Sequence, residues 1–304
     1  MVNPTIAEQK PSRIKIPFLL DIVTVSDPEQ IRQIETSGDV DRLHAYPTKE
    51  LPWWVQFYFR STKFHDHNRD LWFCPFEPTC EPTYPERRAY LEEKAAEGYS
   101  QADVQRIAQL LTTHATDDVL AHEMVQIVNK RFFQESIPHE ITETAKYTVQ
   151  EFTEAIVPPK YEQGVQSQAK IMNYCEHALP KDVHILDVGH NIGEVVQATA
   201  GSLKILQKNL HRPVEEIFTE HAPTAQVPRI AVRSSTFDGL LDSPIKPKET
   251  IIIMKIAEAA AETQDIGFTF GTGDAERACV FKDFFLDFMK DLQTALKAND
   301  LKAK

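Results

Sequence analysis

No stretch of this sequence is apolar for anything near the roughly 20 residues that a membrane-spanning helix needs, and the longest strongly apolar stretch is Ile251 to Met254. The first twelve residues mix Asn, Pro, Glu, Gln and Lys and contain no apolar core of the kind a secretory signal requires. Basic charge is also short. Lys plus Arg is 33 against 45 for Asp plus Glu, a formal net charge of -12. Gripping a nucleic-acid backbone requires cations that displace counterions, so no nucleic-acid partner is expected. Four cysteines in a 304-residue chain do not make a disulfide scaffold. With no membrane segment either, the expected location is the reducing cytoplasm. No Gly-x-Ser-x-Gly elbow, His-Glu-x-x-His pair or Gly-Lys-Ser/Thr phosphate loop occurs, which removes the common hydrolase, zinc-protease and nucleotide-binding signatures. Internal repeats and low-complexity tracts are absent too.

What is present is an ordinary globular composition, 42% hydrophobic and 26% charged, enough to close a sizeable core at this length. Residues 1–13 read as a flexible leader and 14–304 as a single domain. Phe18 to Val25 reads as a strand. Ser26-Asp27-Pro28 then opens a helix, with Ser26 as cap and Pro28 in the first turn. The segment from Leu51 to Pro85 is rich in Trp, Phe, Tyr, His and Pro and resists one regular helix. Ser100 to Asp103 forms a capping-box pattern ahead of Val104, Ile107 and Leu111. Thr116 precedes a second helix carrying Leu120, Met124 and Ile127, and further helices are expected near 140–157 and 160–178. From Ile185 to Leu206, apolar residues at steps of three, four or seven predict a long buried helix. Gly189 and Gly193 on it would let another group approach the backbone closely. A short helix ends at Glu220. Arg229 to Ser235 and Thr250 to Lys255 read as strands, Gly267 to Gly273 as a glycine-rich loop, and the residues after Cys279 as a helix bearing Phe281, Phe284, Phe285 and Phe288.

The sharpest chemical signal is the loop from Phe270 to Cys279. A cysteine at the mouth of a helix is expected to have a lowered thiol pKa, making it a good metal ligand or nucleophile. Upstream, His65, His67, Cys74 and Cys80 offer four N/S donors of the type that suits tetrahedral zinc, although their spacing matches no standard finger. The alternatives there are aromatic packing or a role for His65 toward an anionic group.

The order of these features resembles the cytochrome P-450 superfamily in a shortened, divergent form. Phe270, Gly271 and Gly273 before Cys279 resemble that family's cysteine loop. Val188-Gly189-His190-Asn191-Ile192 resembles the segment of its long distal helix that crosses the haem. His65 and Arg69, with Arg233 on a later strand, resemble the cations that hold the haem propionates. The resemblance implies a mainly α fold with a small β component, a reduced cytochrome P-450-like fold. It also implies haem b (iron protoporphyrin IX) as cofactor, with Cys279 as the iron ligand. His65, Arg69, Arg233, Gly189, Phe270 and Gly273 would then bind the cofactor, and His190, Asn191 and Ile192 would face the substrate.

The departures shape the expected chemistry. Two extra residues separate Gly273 from Cys279, Phe281 stands where the family has glycine, and Thr219 stands in place of a structural arginine. Asn191 and Ile192 replace the distal acid and alcohol. The expectation is therefore a haem-thiolate oxidoreductase acting on a small organic substrate. It would use peroxide or hydroperoxide, or rearrange or dehydrate a substrate that already holds an O–O or N–O bond. A conventional monooxygenase served by an electron-donor protein is one alternative. A haem-free homologue that binds or activates another enzyme is the other.

Overall fold

The computed structural model describes residues 10–16, 20–41, 46, 50–53, 56, 65–66, 71–72, 82–133, 135–147, 158–181, 185–271 and 278–303. Helix dominates. The strands are β1 (Ser12–Ile16), β2 (Leu20–Val25), β3 (Val40–Asp41), β4 (His65–Asp66), β5 (Leu71–Trp72), β6 (Val227–Ala231) and β7 (Thr250–Met254). The helices are α1 (Pro28–Thr36), α2 (Tyr84–Ala96), α3 (Gln101–Thr112), α4 (Asp117–Asn129), α5 (His139–Ala145) and α6 (Pro158–Ala178). They continue with α7 (Ile185–Lys208), α8 (Val214–Glu220), α9 (Ile256–Thr263), α10 (Gly267–Phe270) and α11 (Lys282–Ala303). The mainly α architecture with a small sheet is as expected.

Two apolar cores sit side by side. The larger is helical. It is built on α7, whose Leu186, Val188, Ile192, Val196, Leu203 and Leu206 are buried against α4, α5, α6 and α11. The smaller joins the sheet to α1 and α9 through Val23, Val25, Ile31, Ile34, Ile252, Met254 and Ala260. The main sheet runs β1-β2-β7-β6-β3. β2 and β7 pair in parallel, with Ile22 opposite Ile251 and Thr24 opposite Ile253, and the other pairings are antiparallel.

Local chemistry explains where the elements begin. The capping box is fully formed: the Asp103 amide donates to Ser100 Oγ at 3.2 Å and the Ser100 amide donates to Asp103 Oδ2 at 2.7 Å. At α1 the cap is Asp27, not Ser26. Its Oδ1 accepts the Gln30 amide at 2.9 Å, satisfying the free N–H at the third helical position, with Pro28 at the first. The C-terminal end of α2 is closed from outside by Arg131. Its guanidinium donates to the carbonyls of Lys94, Ala95 and Gly98 and lies 4.7 Å from the Phe284 ring. Thr219, where the resemblance called for a structural arginine, is buried, and its hydroxyl donates back to the Glu215 carbonyl. Glu215 pairs instead with Lys290 of α11 at 2.7 Å.

β1 overlaps the end of the expected leader, since Ser12 and Arg13 are strand residues paired with Thr24 and Val23. Arg13 clamps Asp21 side-on through Nε and Nη2 at 2.7 and 2.6 Å, and the Thr250 hydroxyl donates to the same carboxylate at 2.7 Å. Burial pushes the Asp21 pKa up, but the Arg13 and Thr250 hydrogen bonds together outweigh it and hold the carboxyl below its ordinary range. A carboxyl depressed in the folded state contributes stability above its unfolded pKa of roughly 3.9, and that contribution fades as pH falls through the folded value. Between pH 6 and pH 3, the wild-type urea midpoint is therefore expected to fall further than that of Asp21→Asn. Equal falls would mean that Asp21 makes no such contribution.

Candidate active site

Between the two cores lies a cavity of about 370 Å³, within the range of small-molecule and cofactor sites. One wall is α7. Its cavity-lining residues are Asp187, His190, Asn191, Glu194, Val195, Ala198 and Thr199, a stripe at helical spacing. The opposite wall is Phe270, Gly271 and the segment from Ala278 into the first turns of α11. The segment around β6, including Gln226 and Arg229, closes one side, and Arg88 and Leu91 of α2 with Met124 and Val128 of α4 close another. Most of the lining is apolar, as a site that excludes water requires.

Cys279 belongs to this wall and is exposed, its surface opening onto the cavity. Its backbone amide donates to the Phe270 carbonyl at 2.7 Å, which closes the loop on itself, and the Phe281 amide donates to its sulfur. The expectation of a lowered thiol pKa is reversed. Although the residue as a whole is exposed, the protein packed around its thiol desolvates it and pushes the pKa up, and the Glu194 charge adds to this, while the Phe281 amide, Arg88 and Lys282 oppose without prevailing. The physical reason is desolvation, which outweighs the backbone N–H that the sulfur receives; α11 itself begins only at Lys282, three residues on. The expected glycine-rich loop also begins as helix, because 267–270 form the short α10.

Among the other expected site residues, His190, Asn191 and Phe270 line the cavity. His190 Nδ1 lies 3.7 Å from Glu194 one turn along. Ile192 and Gly189 are buried on α7 but do not line the cavity, and Ile192 belongs to the helical core. Arg233 is exposed past the end of β6 and does not reach the cavity. Its backbone amide donates to the Asp39 carbonyl. His65 lies in β4 opposite Trp72. Arg69, Gly273, His67, Cys74 and Cys80 lie outside the described residues. Among the described residues no cluster of three or more His, Cys, Asp or Glu is arranged to hold a metal ion.

Sequence reasoning missed several cavity residues. Arg88 enters the wall from α2, donating to the Ala278 carbonyl at 2.8 Å and pairing with Glu92 at 2.7 Å. Arg229 enters from β6 and pairs with Glu35 at 3.1 Å. An acid and a threonine do line the cavity from α7, at Glu194 and Thr199 rather than at 191 and 192. The signal for these was the polar stripe 187, 190/191, 194, 198/199, three and four apart on a helix otherwise read by its apolar face.

These residues fit a haem. A cysteine sulfur opens onto an apolar cavity and receives a backbone N–H. Arginines from two elements, Arg88 and Arg229, line the same cavity and are of the type that pairs with anionic substituents. The upward shift of the Cys279 thiol is no obstacle, because a bound metal ion deprotonates its coordinating thiol outright.

No protein-family model matches the chain, and no curated protein is significantly similar to it. Solved structures do match in fold. The chain resembles the cytochrome P450 PksS of the bacillaene polyketide synthase of Bacillus subtilis 168 at 12% identity and a TM-score of 0.59, covering 95% of this chain and 85% of that one. Cytochrome P450SP alpha in complex with (R)-ibuprofen matches at 10% identity and 0.62, covering 94% and 85%. A mutant of P450 EryK in complex with erythromycin B matches at 12% and 0.61, covering 94% and 83%. The fold is thus mainly α with a small sheet, a reduced cytochrome P450-like fold. Among the described residues no helix is long and apolar enough to cross a membrane.

Proposed function

We propose that the cavity is the site of a haem-thiolate oxidoreductase in which Cys279 is the axial ligand. The observation that carries this reading is Cys279 lining a mostly apolar cavity whose facing wall is the long helix α7. Haem b bound there would supply oxygen transfer from a peroxide or hydroperoxide to a small organic substrate, or rearrangement of a substrate that already holds an O–O or N–O bond.

The chain's own residues divide the work by position. Arg88 and Arg229 bring positive charge to two sides of the cavity and suit the carboxylates of a cofactor. Leu91, Met124, Val128, Val195 and Ala198 keep water out. On α7, His190 and Glu194 sit as a neighbouring base and acid, and Asn191 offers a neutral amide that can orient a bound polar group. Thr199 lines the same face, but its hydroxyl donates to the Val195 carbonyl at 2.5 Å, so its proton is not turned to the cavity. This favours reactions that need no relay of protons through an alcohol.

A second reading within the same class is an O2-dependent monooxygenase reduced by an electron-donor protein. The placement of Glu194 on the cavity face favours it, since an acid there can deliver protons.

The test is an absorption spectrum of protein expressed with haem precursor, oxidised and then reduced under carbon monoxide, with haem counted per chain. One haem per chain and a reduced-carbonyl Soret band shifted far to the red are expected. Colourless protein would overturn the proposal and leave the haem-free homologue as the reading. Turnover with cumene hydroperoxide, set against turnover with NAD(P)H and a ferredoxin system, separates the two routes.

A further inference from the structure

A fully buried asparagine stands behind the cavity wall. Asn129, the last residue of α4, is 0% exposed and makes two side-chain hydrogen bonds of known direction. Its Nδ2 donates to the Val125 carbonyl at 3.1 Å, and its Oδ1 receives Nδ2 of Asn191 at 3.1 Å. The first bond fixes the second. A carbonyl can only accept, so the NH2 edge of Asn129 must face Val125 and its oxygen must face Asn191. Asn191 must then answer with its own NH2 edge. Reversing either amide would set two oxygens or two NH2 groups against each other inside the core, leaving buried polar groups unsatisfied.

The consequence reaches the cavity. Asn191 lines it, and with Nδ2 turned to Asn129 the other edge of its amide is Oδ1, an acceptor, while Nδ2 keeps one further hydrogen. We infer that Asn129 is a positioning residue that locks Asn191 with its carbonyl oxygen offered to the cavity, so the site selects ligands that donate a hydrogen bond: alcohols, hydroperoxides or oximes in preference to ethers, peroxide diesters or O-alkylated oximes. The surroundings support a donor-seeking ligand. Along the same helix face the neighbours of Asn191 include Asp187 and Glu194, both carboxylates, so the polar part of this wall is rich in acceptors. Asp187 is engaged by Arg87 and Glu194 lies beside His190. This deepens the proposed function by naming its substrate class, and it rests on the cavity being the substrate site.

The test uses two isomers of one formula, hexan-1-ol and methyl pentyl ether. They present matched apolar surface and an accepting oxygen, and only the alcohol donates. Titration calorimetry on the full-length protein as purified measures their affinities without relying on turnover. The wild type is expected to bind the alcohol about three- to tenfold tighter, the weight of one neutral hydrogen bond. Asn191→Leu should bring the two affinities to within a factor of about two by removing the acceptor. Asn129→Leu should narrow the ratio by weakening the alcohol alone, because a purely structural role would weaken both isomers together. Asn191 is only half-buried, so its variant keeps the test alive if Asn129→Leu does not fold. Equal binding of the two isomers by the wild type overturns this inference and leaves the cavity as a ligand site. Failure to bind either isomer overturns the inference together with the assignment of the cavity to substrate.

Discussion

Arg87→Ala is expected to lower the free energy of unfolding by about 3–5 kcal/mol, the cost of leaving a buried carboxylate without its partner. Arg87 and Asp187 have side chains only 1% and 2% exposed, and they meet through two parallel bonds, Nε to Oδ2 at 3.0 Å and an Nη to Oδ1 at 2.6 Å. The pair joins α2 to the first turn of α7, where an acid also complements the helix dipole. Removing the guanidinium strands the Asp187 charge in the wall of the cavity with no water to solvate it. That loss would be a large share of the roughly 5–15 kcal/mol that holds a typical domain folded. The pair as a whole need not contribute nearly as much, since desolvating two ions offsets most of their attraction. The double variant Arg87→Met/Asp187→Leu is therefore expected to recover most of the loss. Urea denaturation of the wild type, the single variant and the double variant measures both quantities. A loss under about 1 kcal/mol for Arg87→Ala would mean that water reaches the site and the pair is not an internal anchor.

The way this pair escaped the sequence reading shows what is legible and what is not. Patterns that repeat within one element are plain. The steps from Ile185 to Leu206 mark α7 to within two residues of its end, Ser100 and Asp103 mark the start of α3, and the apolar run at 251–254 marks β7. β1 escaped because it is an edge strand exposed along nearly all of its length, and a strand without a buried face has no alternation to detect. The short helix α9 was not read from the sequence, since Ile256 to Thr263 is too brief for its period to stand out. The cavity was half legible. The Cys279 loop, His190 and Asn191 were visible because each lies within a local motif. Arg88 and Arg229 were not, because an arginine becomes a site residue only through the packing of distant elements. Arg233, four residues beyond Arg229, seemed as good a choice on the same strand, yet β6 ends at Ala231 and the chain carries Arg233 out to solvent. Asn129 gave no signal at all. Its meaning comes from Asn191, 62 residues away.

Cys279→Ser is expected to abolish the far-red Soret band of the reduced carbonyl form while leaving the protein folded. The two halves of this expectation come from different atoms. The loop is closed by the Cys279 backbone amide on the Phe270 carbonyl, and it is pinned from outside by Arg88 on the Ala278 carbonyl. Neither bond involves the sulfur, whose surface opens onto the cavity instead of filling the core. Stability should therefore change by no more than about 0.5–1 kcal/mol, the range of substitutions that disturb no packing. The spectroscopic loss should be complete, because the red shift depends on electron density from a thiolate, and a serine hydroxyl is neither soft nor readily ionised. Retention of the band in Cys279→Ser would assign the iron to another ligand. The only other free cysteine among the described residues is poorly suited to that role. Cys175 is buried in the helical core with its thiol pushed up to about 12 by burial, and it does not line the cavity. A band shifted only slightly in the variant would instead point to a histidine, and His190 is the histidine that lines the cavity. The double variant Cys279→Ser/His190→Ala then decides: if it loses the residual haem signal, the ligand lies on α7 and the orientation of the whole site is reversed.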